Sequence, residues 1–330
     1  MPTPEMERRV NRRLDELYER HVDEHENEVV EYYDPEAPEE EKESFGVSLV
    51  SAADGMTFET GEHDVPFPLQ SISKAFVYGM ALEDCGRESV LKKVGVEPSG
   101  EAFNSIEFDE RANRPHNPMV NAGALATTSL VLEGDEPEKC MERILTALRK
   151  YSGNDALDVN EELLAAQFED TDRNRAIAYL MRSHGMIEGD VEAILELYLR
   201  QCSVFVTTHD LGMMASTLAN GGVNPETGER ALEGRYVRDL LSVLYTCGMY
   251  DAAGQWAYEV GIPAKSGVSG GIMAIVPGKL GIAVYSPGLD EYGNSVRGIK
   301  VCEEISERLG LHVFANEAED ILLGTAKERR

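Results

Sequence analysis

Long apolar stretches are missing from this sequence. Nowhere do about 18 apolar residues follow one another, which is the length that a membrane-spanning helix needs. The first 30 residues are charged and helix-forming, without the apolar core of a signal peptide. The sequence therefore predicts neither a membrane span nor a signal peptide.

Basic residues are also scarce. Lysine and arginine total 31 against 60 aspartates and glutamates, which gives a formal net charge of -29 at pH 7. This charge disfavours nucleic acids and anionic membranes as partners. It favours a surface adapted to high salt, where ions screen the repulsion between acidic groups. An ordinary acidic protein is the alternative.

Cysteine occurs in an odd number and without the spacing of metal ligands. The five residues are Cys85, Cys140, Cys202, Cys247 and Cys302, and most lie within apolar patterns. We interpret them as reduced thiols of a cytoplasmic protein, mostly buried in the core. The sequence implies no metal and no organic cofactor.

The order of apolar patterns predicts an α/β fold. Strands are expected at 46–52, 56–60, 272–276 and 280–285, and helices at 6–31, 122–132, 140–151, 160–168, 173–184, 191–201, 208–219 and 295–309. Early and late strands on either side of a helical middle predict two lobes. Residues 1–66 and 255–330 would form one discontinuous α/β lobe and residues 67–254 an all-helical lobe, with the active site between them.

A hydroxyl and an amine lie one helical turn apart in Ser71-Ile72-Ser73-Lys74. A helix that begins at about Gln70 places Ser71 and Lys74 on one face, so that the amine can reach the hydroxyl. Burial beside a second cation would lower the pKa of Lys74 and make it a base for Ser71. The pair predicts a serine hydrolase that works without histidine.

The Ser-x-x-Lys pattern arises by chance roughly once in a chain with this many lysines, and Ser89-Val90-Leu91-Lys92 is a second match. Ser89 follows two charged residues and is expected on the surface. Ser71 follows the turn Val65-Pro66-Phe67-Pro68 and precedes the apolar run 75–82, which predicts the start of a buried helix. A simple helix cap is the alternative for Ser71.

A second lysine lies in Lys265-Ser266-Gly267, directly before a predicted hairpin. A lysine and a hydroxyl at the start of an inner strand, followed by glycines, are the arrangement expected beside the nucleophile of penicillin-recognising enzymes. Lys265 is therefore the candidate cation next to Lys74. An ordinary loop is the alternative.

Four further polar residues lie at positions that suit substrate binding. Asn121 and Asn174 open predicted helices, where each could recognise a carboxylate or merely cap the helix. Tyr198 lies on an amphipathic helix and would by default be core. Tyr250 follows a glycine and could move a proton or simply pack.

Several segments together resemble the serine-dependent glutaminases of the β-lactamase-like fold. They are Gln70-Ser71-x-x-Lys74, PHNPMVNAGA (115–124), DRNRAIAYL (172–180), Tyr198-x-x-x-Cys202, LANGGVNP and TGER (218–230), CGMYD (247–251), G-x-PAKSGVSGGI (261–272) and GNSV-x-G (293–298). The resemblance implies an antiparallel sheet flanked by helices and hydrolysis of L-glutamine. It also implies a small-molecule substrate and a homodimer or homotetramer.

The resemblance implies a role for each matching residue. Ser71 would be the nucleophile and Lys74 its activator, while Tyr250 and Tyr33 would relay protons to the leaving ammonia and help to position the substrate. The amino-acid end of the substrate would contact Gln70, Asn121, Asn174 and Tyr198. The backbone N–H groups of Ser71 and Val268 would form the oxyanion hole.

The sequence departs from the family at Gln167, where the family carries a glutamate that holds the substrate ammonium. A neutral amide accepts a hydrogen bond but supplies no charge, so substrate binding should be weaker unless Glu169 substitutes.

A β-lactamase-like amidohydrolase and a weakly active amino-acid sensor are the rival functions. The first lacks support because no Ser-Asp-Asn motif is present.

Overall fold

The computed structural model describes residues 4–24, 39–100, 104–106, 108–109, 111–132 and 134–315. Within them the α-helices are α1 Pro4–His21, α2 Glu39–Lys42, α3 Ser73–Cys85, α4 Arg87–Lys93, α5 Asn121–Leu132, α6 Pro137–Ser152, α7 Glu161–Glu169, α8 Asp172–Ser183, α9 Val191–Cys202, α10 Thr208–Ala219, α11 Gly234–Cys247, α12 Ala253–Glu259 and α13 Val296–Leu309. The strands are β1 Gly46–Ser51, β2 Thr57–Gly61, β3 Phe67–Pro68, β4 Phe205–Val206, β5 Ala264–Ser266, β6 Gly271–Val276 and β7 Leu280–Tyr285.

Strands from the two ends of the described chain form one antiparallel sheet. Its order is β2-β1-β7-β6-β5, and β3 pairs with β4 in a separate ribbon. The predicted hairpin is β6–β7, in which Val276 pairs with Leu280 and Gly278 takes the positive φ of 71° that the turn needs. The prediction of an antiparallel sheet flanked by helices is confirmed.

Helices cover both faces of the sheet. Strand β6 is therefore buried on both sides. Ile272 and Ala274 belong to the apolar cluster that α1 and α13 cover, whereas Met273 and Ile275 belong to the cluster built by the helical middle of the chain. Helix α10 lies directly on β7: a Cβ at Gly281 would come within 2.2 Å of the Ser216 backbone nitrogen. A side chain there would push α10 off the sheet.

Arg297 on α13 links this helix to two points in the N-terminal part of the chain, Val22 and Ser44. Its guanidinium is buried and donates to the Ser286 hydroxyl at 2.7 Å and to the carbonyls of Val22 and Ser44 at 2.8 and 3.1 Å. Arginine suits this place because several donors on one rigid group can satisfy several carbonyls.

The predicted strands are observed, and so are most of the predicted helices. The predicted helix 6–31 ends at His21, and residues 25–38 lie outside the described part. Elements that were not predicted are the helices α2, α4, α11 and α12 and the short strands β3 and β4. In the described part of the chain, no helix is long and apolar enough to cross a membrane. The division into lobes at residues 66 and 254 stays a prediction.

Candidate active site

Ser71 lies in a tight helical turn that leads into α3. The turn spans Gln70–Ile72, and the Leu69 N–H upstream donates to the Val204 carbonyl at 2.8 Å. Gln70 has a positive φ of 47°, which is costly for a residue with a side chain and persists only where the surroundings impose it. The Ser73 hydroxyl donates to the Gln70 carbonyl at 2.7 Å and fixes the turn. Ser71 is thereby held at a defined place in the buried start of a helix.

Lys74 is completely buried on the first turn of α3. Its Nζ donates to the Asn121 side-chain oxygen at 2.7 Å and to the Met119 carbonyl at 3.1 Å. Burial disfavours the ammonium form and lowers the pKa of Lys74 to about 8, against an opposing contribution from Cys202. At neutral pH about a tenth of such amines is unprotonated and can accept a proton.

Lys265 enters from β5 and is also completely buried. Its Nζ donates to the carbonyls of Ser266 and Gly248 at 2.5 and 3.2 Å and lies 4.4 Å from the centre of the Tyr250 ring. Burial, and then the charge of Lys74, lower the pKa of Lys265 well below its usual value. The two lysines are therefore neighbours, and burial is the main cause of the lowered pKa in both.

Tyr250 opens a short turn, Tyr250–Ala252, with a positive φ of 51°. Burial raises the pKa of the phenol, while its interactions with the Ser71 side chain and the Val268 backbone oppose that rise. The phenol stays protonated at neutral pH. The Tyr250 phenol therefore lies next to both the Ser71 side chain and the Val268 backbone, although the three residues are far apart in the sequence.

Three helices bring the polar substrate-binding candidates together. Asn121 at the start of α5 donates to the Asn174 side-chain oxygen on α8 at 2.9 Å. The Tyr198 hydroxyl on α9 donates to the Asn121 oxygen at 3.3 Å. Because this oxygen also accepts from Lys74, the orientation of the Asn121 amide is fixed and the three candidates are connected to the Lys74 amine.

The two glutamines differ in their surroundings. Gln70 is buried, and its Nε2 has no hydrogen-bond partner within the described residues. Gln167 is half-buried on α7, where its Oε1 accepts from the Ser203 hydroxyl at 3.2 Å. Glu169, the last residue of α7, is exposed. Residues two apart on a helix point in nearly opposite directions, so Glu169 does not share the position of Gln167.

The structure does not place three residues considered in the sequence analysis within this group of side chains. Tyr33 lies outside the described residues. Ser89 and Lys92, the second match to the Ser-x-x-Lys pattern, are exposed on α4 as expected. The sequence interpretation missed the Met119 and Gly248 carbonyls as lysine acceptors, since a backbone acceptor has no residue signature.

The family model for glutaminases matches residues 29–314. The chain belongs to the glutaminase family. A glutaminase of Trichormus variabilis (strain ATCC 29413 / PCC 7937) is 55% identical over 286 residues, which cover 87% of this chain and 85% of that relative. The solved structure of Mglu in its glutamate form has a TM-score of 0.87 at 38% identity and covers 96% of this chain and 72% of that chain.

A Bacillus glutaminase solved in the presence of 4.3 M NaCl has a TM-score of 0.84 at 34% identity, over 92% of this chain and 100% of that chain. These neighbours are bacterial glutaminases with a β-lactamase-like fold, so the predicted family and fold are confirmed.

Proposed function

We propose that this member of the glutaminase family hydrolyses L-glutamine to L-glutamate and ammonia through a γ-glutamyl ester of Ser71. The observation that carries the mechanism is the meeting of Ser71 with the Tyr250 phenol, next to two buried lysines of lowered pKa. A hydroxyl becomes a nucleophile when an adjacent base can take its proton. The site needs no metal for this step.

Lys74 takes the proton of Ser71 as the hydroxyl attacks the side-chain amide of glutamine. Its pKa of about 8 leaves enough of the neutral amine for this role. Tyr250 keeps its proton at neutral pH, so it can donate to the nitrogen of the leaving ammonia. A water molecule then attacks the ester and gives a proton to the Tyr250 phenolate, while Lys74 returns its proton to the Ser71 oxygen as glutamate leaves.

Two backbone N–H groups, those of Ser71 and Val268, stabilise the oxyanion of each tetrahedral intermediate. The interaction of the Val268 backbone with the Tyr250 phenol supports this role, because it brings the Val268 backbone to the same point as Ser71. Each such donor contributes about 3 kcal/mol to the transition state in other acyl-transfer enzymes.

The amino-acid end of the substrate binds to the connected polar side chains of Asn121, Asn174 and Tyr198, with Gln70 and Gln167 as further contacts. The unpartnered Nε2 of Gln70 supports its part, because a buried donor without an acceptor is costly unless a ligand supplies one. Tyr33 is retained as a second phenol on the strength of the resemblance.

Ammonia release from a panel of amino-acid amides and a β-lactam tests this function. We expect turnover of L-glutamine, its loss in Ser71→Ala, and unchanged turnover in the control Ser89→Ala, which alters the exposed second match. Turnover of the β-lactam in preference to glutamine would instead support a β-lactamase-like amidohydrolase. Binding of glutamine without turnover would support a sensor, the rival that the neutral Gln167 favours.

Three further properties belong to the proposal. The charge of -29 supports a surface adapted to salt. The five free cysteines support a reducing, cytoplasmic location. The exposed apolar residues Tyr258, Val313 and Phe314 support a homodimer or homotetramer, which light scattering at several protein concentrations would test.

A further inference from the structure

The turn Asp290–Asn294 packs against the catalytic phenol. A Cβ at Gly293 would lie 3.8 Å from the Tyr250 ring and 3.5 Å from Val268 Cγ1. The turn is rigid, because the Asp290 carboxylate accepts from the N–H groups of Tyr292 and Asn294 at 2.9 and 2.8 Å. It therefore borders both the phenol and the oxyanion-hole residue with a fixed surface.

Asn294 connects this turn to the backbone that precedes Tyr250. Its side chain is completely buried, and its Nδ2 lies 3.5 Å from the Met249 carbonyl. The Oδ1 has no hydrogen-bond partner within the described residues. The Asn294 side chain also bonds the Asp290 carboxylate of the same turn. Burying an amide oxygen without a donor nevertheless costs stability.

The backbone around Tyr250 needs such support. A positive φ at a tyrosine is strained and persists only where neighbouring groups impose it. The Gly248 carbonyl accepts from the Lys265 Nζ and from the Ser266 N–H at 3.2 and 3.1 Å. The next carbonyl, that of Met249, faces Asn294. The Gly248 carbonyl is thus held from β5, and the Met249 carbonyl lies within reach of a long hydrogen bond from the 290–294 turn.

We propose that Asn294 is a positioning residue for Tyr250 and sets the place of its phenol relative to Ser71. Asn294 is completely buried and lies against the backbone that precedes Tyr250, so it acts on turnover through Tyr250. The inference rests on the proposed function, in which Tyr250 moves protons during acyl transfer.

The test compares Asn294→Ala with Asn224→Ala. Asn224 is an equally buried asparagine, and it binds the Lys150 and Tyr151 carbonyls away from the site. Small displacements of a catalytic group are costly, so Asn294→Ala should lower kcat by about tenfold or more and leave the KM for glutamine within about twofold. Asn224→Ala should leave kcat unchanged. A folded Asn294→Ala protein with normal kcat would overturn the inference.

Asn294→Leu is the second variant in case Asn294→Ala does not fold. It keeps the approximate size of the side chain and removes the donor to the Met249 carbonyl without adding a charge beside Asp290, so it should also lower kcat, with Asn224→Leu as its control. Normal kcat in Asn294→Leu would count against the inference in the same way.

A double-mutant cycle separates positioning from a general loss of structure. In a Tyr250→Phe background, Asn294→Ala should reduce kcat by less than about twofold, because the hydroxyl that it positions is already gone. A full loss on top of Tyr250→Phe would overturn the inference. Turnover that persists in Ser71→Ala would refute the proposed function. Loss of turnover in Ser71→Ala and Tyr250→Phe, together with normal turnover in Asn294→Ala, would refute the inference alone.

Discussion

The substitution Gln167→Glu should strengthen glutamine binding without changing turnover. Gln167 is half-buried on α7, and its oxygen already accepts from the Ser203 hydroxyl, a contact that a carboxylate would retain. The new carboxylate would add a charge-assisted bond to the substrate ammonium. Bonds to charged groups contribute about 1.5–3 kcal/mol against about 0.5–1.5 kcal/mol for neutral ones.

The difference of about 1–2 kcal/mol corresponds to a fall in KM of about five- to thirtyfold. Ser203 follows the last turn of α9, whose partial negative charge opposes a carboxylate, so we expect the lower half of this range. The kcat should be unchanged, because the ammonium is remote from the reacting amide and is bound equally in the ground and transition states.

Initial rates of ammonia release over a range of glutamine concentrations measure both constants. The control is Glu169→Gln, which removes the exposed carboxylate two residues away and should leave KM unchanged. A rise in KM for Glu169→Gln would show that Glu169 supplies the charge. An unchanged KM in Gln167→Glu would refute the assignment of Gln167 to the binding site.

Three other predictions concern pH, buried charge and salt. The kcat should rise with pH through about 8, the pKa of Lys74, because the neutral amine is the active form; a pH–rate profile that is flat between 6 and 9 would contradict this role. Glu303→Gln should stabilise the protein by about 1 kcal/mol at pH 8 and little at pH 5 in urea unfolding, with the exposed Glu307→Gln as control. Burial and Glu259 raise the folded-state pKa of Glu303 to about 7. Ionisation of Glu303 therefore destabilises the fold as the pH rises from the pKa of an unfolded glutamate towards 7. Solvent screening at this half-buried site reduces the loss of stability. The midpoint of thermal unfolding should rise from low to molar NaCl, since salt screens the charge of -29; a midpoint that is flat or falls with salt would refute the adaptation to salt.

Local patterns predicted the elements that carry most of the site. The turn before Ser71, the apolar run of α3 and the hairpin after Lys265 each have a signature of period or turn residues within a few positions. Tyr198 was expected on an amphipathic helix, and α9 indeed carries it as a buried residue. Such features depend on neighbours in sequence, and so the sequence reveals them.

The remaining features depend on contacts between distant parts of the chain. Lys74 finds its acceptors at residues 119 and 121, and the positive φ of Gln70 and Tyr250 is imposed by surrounding structure rather than by residue type. Helix α11 was missed because Glu233 and Gly234 provide none of the usual start signals. This helix is an exception, because its apolar face is visible in the sequence: Tyr236, Val237, Leu240, Leu241 and Leu244 recur at helical spacing.

Mass spectrometry after treatment with an electrophilic glutamine analogue tests the central claim most directly. The account predicts one adduct, on the peptide that contains Ser71, and its disappearance together with turnover in Ser71→Ala but not in Ser89→Ala. Cys247 is the informative competitor, because it lines a cavity of about 340 Å³ that Tyr250 also borders. Burial raises the pKa of the Cys247 thiol and should keep it unreactive. An adduct on Cys247 or Cys85 in place of Ser71 would contradict the serine mechanism.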